Sequence, residues 1–189
     1  MEILRLILLL GLILHKVLWE VMKKNDSSEI HQRHFKISFK SLVKLFKVIV
    51  LAFLVFQTLF LDLFPISDQP NVLRMIGTTI YFLGLAMAVI ARLQLGKNWA
   101  NIEDCRVSSG QSLITSGIYR YIRHPIYTGD ILLLVGLELA LNSWMVLGVI
   151  ILFAVVIKQA LAEENLLIQA IPAYKAYCGR TKRFIPFIL

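Results

Sequence analysis

The residues able to do chemistry crowd into one stretch, Gly117-Ile118-Tyr119-Arg120-Tyr121-Ile122-Arg123-His124-Pro125-Ile126-Tyr127-Thr128-Gly129. Arg123 can hold an anion, His124 can carry a proton, and the tyrosines present aromatic faces with hydroxyls. A second polar feature, Glu163-Glu164, follows about forty residues later. Adjacent carboxylates on a helix point about 100° apart, so they cannot face one another as a glycosidase pair does. They suit a ribose, an amino group or another positive charge. Each motif has a bland reading. Arg-His beside lipid anchors a helix, and Glu-Glu at a helix end is solvated. A site is expected only if the two are brought together.

The composition says where such a site would sit. The chain has 189 residues, 58% of them hydrophobic, with a net charge of +8 and a mean hydropathy of +0.72. That exceeds the range of soluble domains and points to a membrane protein. The basic residues fall between the apolar runs, as the positive-inside rule expects, and this argues against a nucleic-acid partner. Cys105 and Cys178 form no CxxC pair, so no zinc or redox site is expected. His31 and His34 have metal-compatible spacing, but no carboxylate or cysteine cluster accompanies them. No metal is expected.

The elements that must position these residues are apolar runs at 3–19, 48–64, 72–95, 126–141 and 144–162. They predict an all-α integral membrane bundle of about five transmembrane helices. The first run lacks a small-residue cleavage site, so it is read as a membrane helix. Segments 20–47, 92–123 and the tail from Lys158 hold seven, five and five of the twenty Lys and Arg. All three fall on the cytoplasmic face if the N-terminus is outside and the C-terminus cytoplasmic. The loop at 62–70 has two prolines and no Lys or Arg, and is external. Gly77, Gly84, Ala86 and Ala88 allow close helix contact. Trp99 is either an interfacial anchor or a wall of the site.

Pro125 suits the first turn of a helix, where its missing N–H leaves no bond unmade. An arm of sixteen residues reaches about 24 Å, short of a hydrocarbon core near 30 Å. With the Asn142-Ser143 break, residues 126–162 therefore read as a tight helical hairpin. Its two ends carry Arg123 to Tyr127 and Glu163-Glu164 to one cytoplasmic pocket. Glu138 lies within the first arm, where an ionisable group costs on the order of 3 kcal/mol on insertion scales. It is a functional candidate, unless its place one turn from Asn142 puts it near the interface. The final apolar patch, 184–189, is too short to span and is expected along the membrane surface. The chain reads as one membrane domain over 1–189. Three N-terminal spans occupy 1–95, and 96–189 is a core of hairpin and cytoplasmic tail.

The run Arg123-His124-Pro125-Ile126-Tyr127-Thr128-Gly129, with Glu163-Glu164, Tyr174, Tyr177 and Thr181-Lys182-Arg183-Phe184-Ile185-Pro186, resembles the isoprenylcysteine carboxyl methyltransferase family. It is similar more distantly to the phospholipid N-methyltransferases. Leu113-Ile114-Thr115-Ser116-Gly117-Ile118-Tyr119 fits the family's entry into this motif. The likeness covers about residues 96–187. It implies a membrane methyltransferase using S-adenosyl-methionine without a Rossmann domain, acting on a lipophilic small molecule or lipid that enters from the membrane.

The resemblance also assigns residues. Leu113, Ile114 and Tyr119 would hold the adenosine, His124 and Tyr127 the methionine end, and Glu163 and Glu164 the cofactor's polar groups. Arg123 would face the acceptor, with Trp99 beside it, and Arg123 and Glu163 are the expected catalytic residues. Carboxyl O-methylation of an isoprenylcysteine-like or other lipid-like acceptor is the leading expectation, because a carboxylate is already ionised at pH 7 and needs no base. Gln159-Ala160-Leu161-Ala162 stands where prenylcysteine enzymes carry basic residues, which loosens the prenylcysteine assignment. The short length is similar to that of prokaryotic members, acting in an inner or plasma membrane. The alternatives are a phospholipid or other amine N-methyltransferase, an NADPH-dependent sterol-type reductase, and a non-catalytic membrane protein.

Overall fold

A computed structural model describes residues 2–26, 39–60, 63–96 and 112–186. His31, His34, Trp99 and Cys105 lie outside these residues. The described chain is helical: α1 Glu2–Asp26, α2 Phe39–Phe60, α3 Asn71–Leu95, a 3-10 turn at Gly117–Arg120, α4 Pro125–Ala140, α5 Val146–Ala170 and α6 Tyr174–Arg180. Helices α3 and α5 are long and apolar enough to cross a membrane, and Val48–Leu59 of α2 is a shorter apolar helix.

The core is a three-helix contact. Leu8 and Leu12 of α1 pack against Tyr81 and Leu85 of α3 and against Leu133 and Leu137 of α4. The Tyr81 hydroxyl donates to the Leu8 carbonyl at 2.7 Å, which satisfies a polar group that would otherwise be buried unpaired. Helices α3 and α4 run antiparallel with their backbones nearly touching. A Cβ added to Gly84 would lie 2.7 Å from the Gly129 carbonyl oxygen, and one added to Gly129 would lie 2.6 Å from the Ala88 nitrogen. Only hydrogen fits in these gaps, the small-residue packing that lets membrane helices gain van der Waals contact. Gly77, Gly84 and Ala88 face α4 as the small-residue pattern suggested. Ala86 is exposed and takes no part.

The hairpin turn is tight as expected. Asn142 adopts φ +57°, a left-handed conformation that asparagine tolerates better than most residues. Its side chain then receives the Ser67 N–H at 3.0 Å and donates to the Ser67 carbonyl at 2.7 Å, so the loop before α3 straps the turn. Glu138 is buried beside it and accepts a hydrogen bond from Gln57 at 2.9 Å. It ties α2 to α4 and does not line the pocket at the other end of the hairpin.

Two expectations are corrected. Helix α5 continues past the apolar run to Ala170, so both glutamates sit within a helix and not at its exit. Phe184 does not lie along a membrane surface. It is 2% exposed, packed between His124 and Phe153, because the tail turns back into the bundle.

Candidate functional site

Pro125 opens α4 with His124 as its N-cap residue, so Arg123 and His124 sit at the helix mouth as the sequence implies. The tail fixes them there. The Arg123 N–H donates to the Lys182 carbonyl at 2.8 Å and the His124 N–H to the Arg183 carbonyl at 3.0 Å. The Thr128 hydroxyl donates to the Phe184 carbonyl at 3.1 Å. The Tyr177 hydroxyl reaches the Tyr119 carbonyl at 2.6 Å and binds α6 to the 3-10 turn. At the end of α3, Gln94 accepts the Ile118 N–H at 2.9 Å. Gly117, at φ +61°, is the residue this turn needs, since a side chain there would strike Gln94.

The two glutamates divide their work, as a rotation of about 100° per residue requires. Glu164 is 4% exposed. Its Oε1 accepts from Arg123 Nε at 2.7 Å and lies 3.1 Å from His124 Nε2, and its Oε2 accepts from Arg183 Nε at 3.0 Å. Arg123 also donates through Nη1 to the carbonyls of Cys178 and Thr181. This buried knot joins the hairpin to the tail. Glu163 turns the other way. It lines a pocket and accepts the Tyr127 hydroxyl at 2.8 Å.

The pocket collects most of the expected site residues. Leu113, Ile114, Tyr119, Arg123, His124, Tyr127 and Glu163 all line it. Glu164 does not, because its carboxylate lies behind the wall in the ionic knot. Trp99 falls outside the described residues. The His124 and Tyr127 rings stack nearly parallel, with centroids 5.4 Å apart. Burial raises the hydroxyls of Tyr119 and Tyr174 well above the tyrosine range and pushes Tyr177 up to about 12. All three are therefore neutral donors at physiological pH.

Among the lining residues that sequence reasoning missed are Trp19 of α1 and Asp130 of α4. Asp130 carried the same signal as Glu138, a carboxylate inside an apolar arm. Trp19 carried none, since only the packing of α1 brings it here. No cluster of three or more metal-ligating side chains occurs among the described residues.

Comparison with known proteins agrees with this architecture. The S-isoprenylcysteine O-methyltransferase of Saccharomyces cerevisiae is 26% identical over 180 residues, covering 92% of this chain and 75% of that protein. The cobalt-zinc-cadmium resistance protein CzcN of Cupriavidus metallidurans is 29% identical over 113 residues, 57% of this chain. The chain spans about half of CzcN, 48% of its length. Among solved structures, the eukaryotic intramembrane Ras methyltransferase, isoprenylcysteine carboxyl methyltransferase, shares the fold. Its TM-score is 0.59 at 24% identity, over 82% of this chain and 55% of that one. The family model for phospholipid methyltransferases matches residues 72–172, more than half of the sequence. That span holds α3, the 3-10 turn, the hairpin and both glutamates, and the chain belongs to the phospholipid methyltransferase family.

Proposed function

We propose that this chain is an integral membrane methyltransferase that uses S-adenosyl-methionine and acts on a lipophilic acceptor. The observation that carries the reading is the division of the glutamate pair. Glu164 closes the ionic knot, while Glu163 offers a carboxylate to a pocket with aromatic walls. The cofactor would bring a methyl group on a positively charged sulfur. The residues fit such a ligand. Leu113, Ile114 and Tyr119 supply an apolar and aromatic cleft for its adenosine. Glu163 accepts one hydrogen bond among the described residues, from Tyr127, and has capacity for an amino or hydroxyl donor. His124 and Tyr127 would flank the reacting end, held in place by stacking and by the tail. Fixing donor and acceptor in line can contribute roughly 7–11 kcal/mol of the barrier.

The same proposal places the pocket at the cytoplasmic face of a five-span bundle in a prokaryotic membrane. The N-terminus is then outside. The relatives named above for isoprenylcysteine suggest a carboxylate acceptor. Here Arg123 already holds Glu164 through Nε and two tail carbonyls through Nη1, so these atoms are not open to that carboxylate. The proposal therefore extends to a lipophilic acceptor and stops short of isoprenylcysteine. The test is calorimetric titration of the detergent-purified chain with S-adenosyl-homocysteine and, in parallel, with NADPH. Saturable binding of S-adenosyl-homocysteine, weakened at least about tenfold in Glu163→Gln, is expected. Binding of NADPH instead, or of neither by folded protein, refutes the proposal.

A further inference from the structure

One arginine stands apart from the basic segments. The loop before α3, residues 63–70, straps the hairpin turn at the end of the bundle away from the pocket, and it holds no Lys or Arg. Arg74 follows it on the first turn of α3. Leu95 of the same helix lines the pocket, and about 32 Å of helix separates the two residues. An arginine at the end of an apolar helix is ordinarily a hydrated anchor, its nitrogens turned to water. Arg74 departs from that. The residue is partly buried, its Nε is fully buried, and its guanidinium makes no hydrogen bond or ion pair among the described residues. The carboxylates described at this end do not pair with it: Glu2 and Asp68 are exposed, and Glu138 is bound to Gln57. The first turn of α3 carries no acidic residue, so the partial positive charge of the helix start adds to the guanidinium.

Arg74 tops a groove between α1 and α3, lined also by Leu4, Met75, Thr78, Thr79 and Phe82. Residues 75, 78, 79 and 82 follow the three- and four-residue spacing of one helix face. The Thr78 and Thr79 hydroxyls donate to the Arg74 and Met75 carbonyls at 2.7 and 2.9 Å, so their protons are spent within the helix. The groove is therefore cationic at the helix end and largely apolar for the two turns below. A free phosphate would satisfy the first part and leave the second uncovered. A zwitterionic head group would bring its ammonium to a wall on which no lining residue is acidic.

We propose that this groove is a binding site for an anionic phospholipid. The lipid phosphate pairs with the Arg74 guanidinium, whose planar fork suits phosphate oxygens, and an acyl chain lies over Met75, Phe82 and Leu4. Its distance along α3 from the pocket sets this lipid apart from any methyl acceptor. The inference is independent of the methyltransferase reading and rests on α3 lying in a membrane. Because α1 and α3 both line the groove, the bound lipid joins them.

The test is photocrosslinking of the full chain in mixed micelles, with adducts mapped by mass spectrometry. The probes are a phosphatidylglycerol carrying a diazirine near the top of one acyl chain and the diacylglycerol with the same chains, which lacks the phosphate. In wild type, adducts within residues 72–82 should be at least about tenfold more abundant with phosphatidylglycerol. Arg74→Gln should bring the two probes to within about twofold of each other at these residues, while adducts elsewhere on the chain stay unchanged. Equal labelling by both probes in wild type, or a preference that survives Arg74→Gln, makes Arg74 a plain interfacial anchor and overturns the inference. Loss of the phosphatidylglycerol adducts on adding inorganic phosphate at constant ionic strength makes the site one for free phosphate and overturns it equally. If Arg74→Gln folds poorly, the two probes on wild type still decide, and Phe82→Ala should lower the phosphatidylglycerol adducts through the acyl chain.

Discussion

Glu164→Gln is the most informative single change, because the sequence and the structure assign Glu164 different work. By resemblance it would bind the cofactor. In the fold its carboxylate closes a knot with Arg123, His124 and Arg183. The magnitude follows from burial. The side chains of Arg123, His124 and Glu164 are only 5–6% exposed, while Arg183 is 40% exposed and screened by water. Removing one partner of a buried ion pair costs about 3–5 kcal/mol, because the other charge is left without compensation. Glutamine retains one acceptor oxygen, which places the expected loss near the lower end, about 3 kcal/mol. For a chain of this size each kcal/mol moves the melting temperature by about 2–4 °C, so a fall of about 6–12 °C is expected. A thiol-reactive dye in detergent is a suitable probe, because Cys178 lies on α6 and its carbonyl is one of those Arg123 holds. Glu163→Gln is the control. It should leave the melting temperature within about 2 °C of wild type while weakening S-adenosyl-homocysteine binding. If Glu164→Gln melts like wild type and loses the ligand, Glu164 is a ligand residue and the structural argument is wrong.

Gly136→Ala should lower the melting temperature by about 4–8 °C, because the new Cβ would lie 2.6 Å from the Tyr81 Cα and force α3 from α4, an overpacking cost of about 2 kcal/mol. Gly148→Ala, with nothing within 4 Å of its Cβ position, should be neutral or slightly stabilising in the same melt. Alkaline stability should track the tyrosine cluster. Tyr119, Tyr174 and Tyr177 titrate above the ordinary value near 10, Tyr177 at about 12, so the unfolded chain gives up these protons first. Stability from this source is full below about pH 10 and falls as pH rises toward Tyr177's folded value. A melting temperature that begins to fall well below pH 9, in a series of melts across pH, would show that other groups govern the alkaline limit.

Much of the arrangement was readable before any tertiary contact was known. Apolar runs are long, one-dimensional signals, so helices α3 and α5 follow from hydropathy alone. Pro125 marked the start of α4, and the Asn142-Ser143 break marked a turn whose shortness leaves little choice of path. A tight hairpin brings its two ends together by geometry, so Arg123, His124 and Tyr127 had to meet Glu163-Glu164. The sequence could not say which glutamate faces the pocket. That depends on the rotation of α5 about its axis, set by side-chain packing against α4 and the tail. The same rotation determines that Glu164 meets Arg123, His124 and Arg183, and that Arg123 is committed to it. Trp19 entered the pocket, and His15 met Asp130, only through the packing of α1, more than a hundred residues from Asp130 in the chain. Local sequence fixed the hairpin because neighbours in the chain stay neighbours in space. Tertiary structure decided the walls of the pocket, because contacts between distant helices depend on relative rotation and depth, which no single helix encodes.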